Sequence, residues 1–120
     1  MSYKLRISAQ AQNDIESIYN YVLKDGITIA KKQADLIYSS LENLELFPEM
    51  GANLSTYTIE KNDYKFLSIK KTYIAFYKII GNEVRVVRVF RGEQDYLRQL
   101  GINWLSRTLF FEYCDANFAF

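Results

Sequence analysis

Histidine is absent from all 120 residues. That removes Ser–His and Cys–His catalysis and every imidazole-based metal site. An enzyme built on this chain would have to work with Lys, Arg, Tyr and carboxylates, and neither a metal nor a cofactor is expected. Cysteine occurs once, at Cys114. One thiol cannot build a disulfide framework, and it fits a reducing cytoplasm. Cys114 reads as a small packed or exposed thiol, with nothing pointing to reactivity. No apolar run reaches the length of a membrane span, and the opening MSYKLRIS lacks the plan of a signal peptide. A cytoplasmic protein without a membrane partner is the expectation. Internal repeats, low-complexity tracts and a Gly-rich phosphate loop are also missing.

What is abundant is apolar and aromatic. Hydrophobic residues make up 49% of the chain, with ten Tyr and eight Phe. That is enough for one compact domain with a real core and too much for a disordered chain. Net charge is +1 but unevenly spread. Residues 1–60 hold five basic and eight acidic side chains, a balance of −3, whereas residues 61–98 hold nine and four, a balance of +5. Such polarity suits a protein that meets an anionic partner on one side. On composition alone, the plainer account of a solvated surface is favoured.

YKLRIS (3–8) alternates and reads as a first strand. Ser8 can cap a helix in which Ala11, Ile15, Ile18 and Val22 recur at helical spacing, with Gly26 as its left-handed stop. Thr28 is the expected cap of a second helix with the stripe Ala34, Ile37, Leu41 and Leu44, ending at Phe47-Pro48. Two helices so close in sequence predict an antiparallel hairpin. A short strand near Tyr57–Ile59 fits the connector. Three strands follow, over 64–69, 72–80 and 83–91. Gly81-Asn82 signals a two-residue hairpin between the last two, and Lys70-Lys71 takes the same role between the first two. A short helix near 94–100 closes the unit.

With both turns at two residues, one sheet face carries Phe66, Tyr73, Ala75, Tyr77, Val84, Val86, Arg88 and Phe90. The other carries Lys65, Leu67, Ile69, Ile74, Phe76, Lys78, Arg85, Val87, Val89 and Arg91. Both are apolar in the middle, so each needs a cover. Asp14 falls inside the apolar stripe of the first helix and Arg88 among the aromatics of the first face. Charges aimed into a core need partners, so the two are expected to form a structural ion pair that sets the first face against the helices. Lys78 then lies opposite Arg85, a like-charge pair relieved by an anion or by splaying into water.

The order and intervals of several segments resemble the RelE/ParE toxins of bacterial type II toxin–antitoxin modules. The carrying segments are YKLRIS, AQNDIESIYNYV (11–22), LENLELFPEMG (41–51), YKFLSI, TYIAFYKI and VRVVRVFRGEQDYLRQL (84–100), so the likeness spans residues 3–102. It implies an α+β fold: an N-terminal αα hairpin packed on a mainly antiparallel sheet of about four strands, with a short C-terminal helix. It also implies a growth-inhibiting plasmid-stabilisation toxin, neutralised by a cognate antitoxin. Members resembling RelE cut messenger RNA on the ribosome; members resembling ParE poison DNA gyrase.

The nuclease pattern places two basic residues on the strand matching 64–69, where Lys65 fits the first and Leu67 stands at the second. An arginine is absent after Tyr73, where Ile74 stands, and a later basic position falls near Gln94, with Arg91 close by. Were the chain a ribonuclease, Lys65, Arg85 and Arg91 would clamp phosphate and Tyr96 would donate a proton, but no base is evident. The ParE branch is therefore favoured. The alternatives are a RelE-like endoribonuclease and a degenerate toxin acting only as an interaction module. A stripe of Tyr19, Leu36 and Tyr38 on the hairpin is the candidate antitoxin surface, with ordinary core as the competing account for Tyr19. Residues 103–120 extend past the likeness. They are open to three readings: a cover for the second face, a self-association segment giving a homo-oligomer, or a read-through or appended sequence.

Overall fold

The computed structural model describes residues 3–57 and 62–91. Five strands and two α-helices follow in the order β1 (Lys4–Ile7), α1 (Ala9–Val22), α2 (Ile27–Glu42), β2 (Ala52–Asn53), β3 (Lys65–Ile69), β4 (Tyr73–Ile80) and β5 (Glu83–Arg91). The strands form one sheet in the order β1-β5-β4-β3-β2. Among the described strands only the β1–β5 pair is parallel. The fold is α+β, with one strand more than the sequence suggests: the two-residue β2, too short to show an alternating pattern. Among the described residues no helix is long and apolar enough to cross a membrane.

Local chemistry sets the helix ends. The Ser8 hydroxyl accepts the Ala11 N–H at 3.0 Å and donates to the Val87 carbonyl at 3.0 Å. One cap thus starts α1 and ties it to β5. The chain leaves α1 through a single 3-10 turn, Leu23–Asp25, and reverses at Gly26, with φ 114° and ψ 150°. Glycine alone takes this backbone without strain. The same residue stands at the N-cap of α2, so Thr28 lies inside the helix and caps nothing. The second helix ends at Glu42 and passes through a 3-10 turn, Asn43–Glu45, before Phe47-Pro48 is reached. Ala11, Ile15, Ile18 and Val22 of α1 and Ala30, Ile37 and Leu41 of α2 are buried together over the sheet.

Two features shift the face assignment made from the sequence. The β3–β4 turn has three residues, so Ile69 pairs with Tyr73 and not with Thr72. Lys70 and Lys71 both adopt positive φ, 49° and 62°, to close it. In β5 a bulge leaves Val87 unpaired, because Phe76 faces Arg88 while Tyr77 faces Val86. Each irregularity turns every residue beyond it to the opposite face. The helix-side core therefore holds Leu67, Ile69, Tyr73, Ala75, Tyr77, Val84, Val86 and Val89. Phe66 and Phe90, expected beside the helices, instead join Ile74 and Phe76 on the far face. There Phe76 sits 6.3 Å from Phe66 and 6.0 Å from Phe90, centroid to centroid. All four are at most 2% exposed, so this second apolar face is also shielded. Leu54–Tyr57 forms a 3-10 turn. The remainder of the strand expected near Tyr57–Ile59, the helix near 94–100 and the covering role of 103–120 fall outside the described residues.

Tyr77 fastens the connector between helices and sheet. Its buried hydroxyl donates to the Pro48 carbonyl at 2.8 Å and accepts the Gly51 N–H at 3.0 Å. A Cβ at Gly51 would meet that hydroxyl and lie 2.6 Å from the Phe66 carbonyl oxygen, so only glycine fits the approach. Burial pushes the Tyr77 phenol up to about 12. Its folded value lies above the free value of about 10. The stability it contributes is therefore complete below pH ~10 and lost as pH rises toward ~12. Tyr77→Phe is expected to cost about 1–3 kcal/mol at neutral pH, by leaving buried polar groups unpaired. It should also make the denaturant midpoint fall less steeply than wild type across the alkaline window, as measured by paired urea titrations.

Candidate functional site

Beyond Ile7 the first strand no longer pairs with β5, whose outer edge from Val87 onward is met by Ser8 and Asp14. The second turn of α1 crosses this gap. Asp14 places its carboxylate against the edge and accepts the Val89 N–H at 3.0 Å. Arg88 donates to the same group twice, at 2.7 and 3.0 Å. By register Arg88 belongs to the far-face row, opposite Phe76. Its guanidinium passes over the Phe90 ring at 4.5 Å and reaches the carboxylate at the strand's edge. Asp14 and Arg88 are thus brought together, with side chains only 12% and 18% exposed.

Farther along the same seam, Asp14, Ser17, Ile18, Tyr21, Val89 and Arg91 line a hollow of about 260 Å³. Tyr21 at its mouth lies between two cations: the Lys24 ammonium is 3.8 Å and the Arg91 guanidinium 4.0 Å from the ring centroid. Hydrogen bonding and charge from Lys24, then the charge of Arg91, hold the phenol below the usual tyrosine value. This cluster was missed in the sequence, although the three-residue spacing of Tyr21 and Lys24 was a usable signal for the helical half of it.

The three cations considered for a phosphate clamp occupy separate places. Lys65 pairs with Glu49 at 2.9 Å and with the Asn53 amide oxygen at 2.9 Å, beside β2. Arg85 bonds Glu83 at 2.9 Å, and Arg6 reaches the same carboxylate at 3.2 Å. Hydrogen bonds from Arg85 and then Arg6 keep that carboxyl below the usual range. Arg91 faces Tyr73 at the far end of β4, whereas Arg85 faces Lys78 near the other end. At roughly 3.3 Å per residue, Arg85 and Arg91 lie on the order of 20 Å apart along one strand. The like-charged Lys78–Arg85 pair is relieved within the chain: Lys78 sits 4.4 Å over the Tyr64 ring and Arg85 turns to Glu83. Tyr96 lies outside the described residues.

On the outer side of the hairpin, Tyr19 and Tyr38 line a hollow of about 380 Å³ with Gln12, Asn13, Ile15, Glu16 and Ala34. Leu36 is not part of it and, like Tyr19, packs against the core.

Comparison with known proteins assigns this architecture to a family. Residues 5–96 match the model of the ParE toxin of the type II toxin–antitoxin system parDE. The chain belongs to this family of type II toxin–antitoxin toxins. Among solved structures, it is similar to the chromosomal ParDE toxin–antitoxin system of P. aeruginosa. Identity there is 21% and the TM-score 0.64, over 75% of this chain and 96% of that one. It is also similar to a mutant of the E. coli toxin RelE in the free state, at 18% identity and TM-score 0.55, covering 82% and 93% of the two chains. At these identities the likeness carries the fold. No curated protein matches the sequence.

Removing one partner of the Asp14–Arg88 pair strands the other charge. Asp14→Ala is therefore expected to destabilise by about 3 kcal/mol or more. A double change, Asp14→Leu with Arg88→Met, is expected to recover most of that stability, because apolar groups of similar volume replace both charges. Denaturant unfolding of the two variants checks this; equal destabilisation in both would locate the energy in the Val89 N–H bond instead.

Proposed function

We propose that this ParE-family toxin inhibits growth in the cytoplasm by binding DNA gyrase, is not a nuclease, and is neutralised by a cognate antitoxin. The far face of the sheet carries the reading. Where the nuclease pattern calls for an arginine after Tyr73, Ile74 is buried on that face among Phe66, Phe76 and Phe90. Leu67 occupies a pattern position too, but on the helix side. A packed apolar layer cannot hold a phosphodiester in line with a base and an acid. The separation of Lys65, Arg85 and Arg91 supports the same reading. The P. aeruginosa structure is of a toxin–antitoxin system, which favours an antitoxin partner for this chain as well. The hollow lined by Tyr19 and Tyr38 is the surface offered to it, sized for apolar side chains of a helix.

The purified chain is expected to block supercoiling by gyrase while leaving ribosome-bound messenger RNA intact. Cleavage of the message between codons, without an effect on gyrase, would replace this reading with the RelE-like one. Harmless overexpression without antitoxin would point to an interaction module only. Tyr38→Asp should weaken co-purification with the antitoxin at least tenfold while leaving the melting temperature nearly unchanged, since Tyr38 is 36% exposed. Unchanged capture would place the antitoxin elsewhere.

A further inference from the structure

The course of α1 along β5 gathers positive charge at one end of the molecule. Ser8 meets β5 at Val86 and Val87, Asp14 at Val89, and Tyr21 at Arg91, so the tip of the hairpin lies beside the end of the strand. The β3–β4 turn is at the same end, because Tyr73, which follows it, pairs with Arg91. Tyr73 also donates to Gln33 of α2 at 2.9 Å, which brings the first turns of that helix alongside. Lys24, Lys31, Lys32, Lys70, Lys71 and Arg91 therefore share one end. Among the described residues, the acids near them are Asp25, Asp35 and Asp14, and the last is occupied by Arg88 and the Val89 N–H. At the opposite end Arg6 and Arg85 share Glu83, and Lys65 holds Glu49.

We propose that this end binds the phosphodiester backbone of a nucleic acid, independently of sequence. The hollow between α1 and β5 supplies a seat for one phosphate. At about 260 Å³ it is smaller than a site enclosing a whole small-molecule ligand, and it accepts a single projecting group of a larger one. Ser17 and Tyr21 bring hydroxyl donors to it, and Lys24 and Arg91 stand at the mouth on either hand of the Tyr21 ring. Lys31, Lys32, Lys70 and Lys71 extend the field to neighbouring phosphates. A flat lipid headgroup layer would not reach into the recess. Of the three cations considered for a nuclease clamp only Arg91 belongs to this surface, since Lys65 and Arg85 lie toward the opposite end, and the proposal does not depend on gyrase being the target.

The test uses the purified chain with a fluorescein-labelled DNA duplex and, separately, a labelled single-stranded RNA, following anisotropy across a salt series. Affinity is expected to fall steeply with salt. In Lys24→Gln/Lys31→Gln/Lys32→Gln, the slope of log affinity against log salt should drop by about 0.9 for each duplex phosphate no longer neutralised. Lys4→Gln/Lys78→Gln, at the opposite end, should leave it unchanged. A stronger response from one polymer identifies whether DNA or RNA is the natural source of the phosphate. No binding at low salt, the same slope in both variants, or equal affinity for poly-glutamate or anionic vesicles would overturn the proposal. Thermal melting of each variant separates these outcomes from misfolding, and a negative gyrase assay would leave this result untouched.

Discussion

The architecture depends on how one exposed strand edge is closed. β1 covers β5 only as far as Val86, and the strand continues well past it with backbone donors facing outward. An open edge either invites another chain or must be satisfied from within. Here the Asp14 carboxylate performs that service, taking the Val89 N–H while Arg88 offsets its charge. The contact ties α1 to the sheet beside the hollow lined by Ser17, Tyr21 and Arg91.

Much of this is legible in the sequence alone. The apolar stripes of both helices, the Gly81-Asn82 hairpin and the apolar centres of both sheet faces follow from periodicity and turn chemistry. So do the need for Asp14 and Arg88 to find partners and the likeness to the toxin family. The face assignment is only half legible. Val87 gives no sign of being a bulge, since a Val-Val step is ordinary strand sequence. Nor do two lysines announce left-handed backbone, which normally calls for glycine or asparagine. Tertiary requirements decide both. The bulge lets Val84 and Val86 and then Val89 all face the helices, and the longer turn aligns Leu67 and Ile69 with the same core.

The site is less readable than the fold. Lys65, Arg85 and Arg91 look like a set when the strands are written side by side with ideal alternation. The actual register spreads them over two faces and both ends of the sheet. Conversely, Tyr21, Lys24 and Arg91 look unrelated in sequence and meet only because α1 runs along β5. A hairpin whose tip overhangs the sheet can assemble a cluster that neither element encodes alone.

The lysine pair in the β3–β4 turn carries a last implication. Non-glycine residues in left-handed backbone cost roughly 1–2 kcal/mol each, and Lys70 and Lys71 both sit there. Glycine at either position would relax the loop and raise resistance to heat while stripping charge from the most projecting point between β3 and β4. Thermal robustness and electropositive reach are thus opposed at this corner. A version of the protein tuned for endurance would be expected to present a more neutral tip.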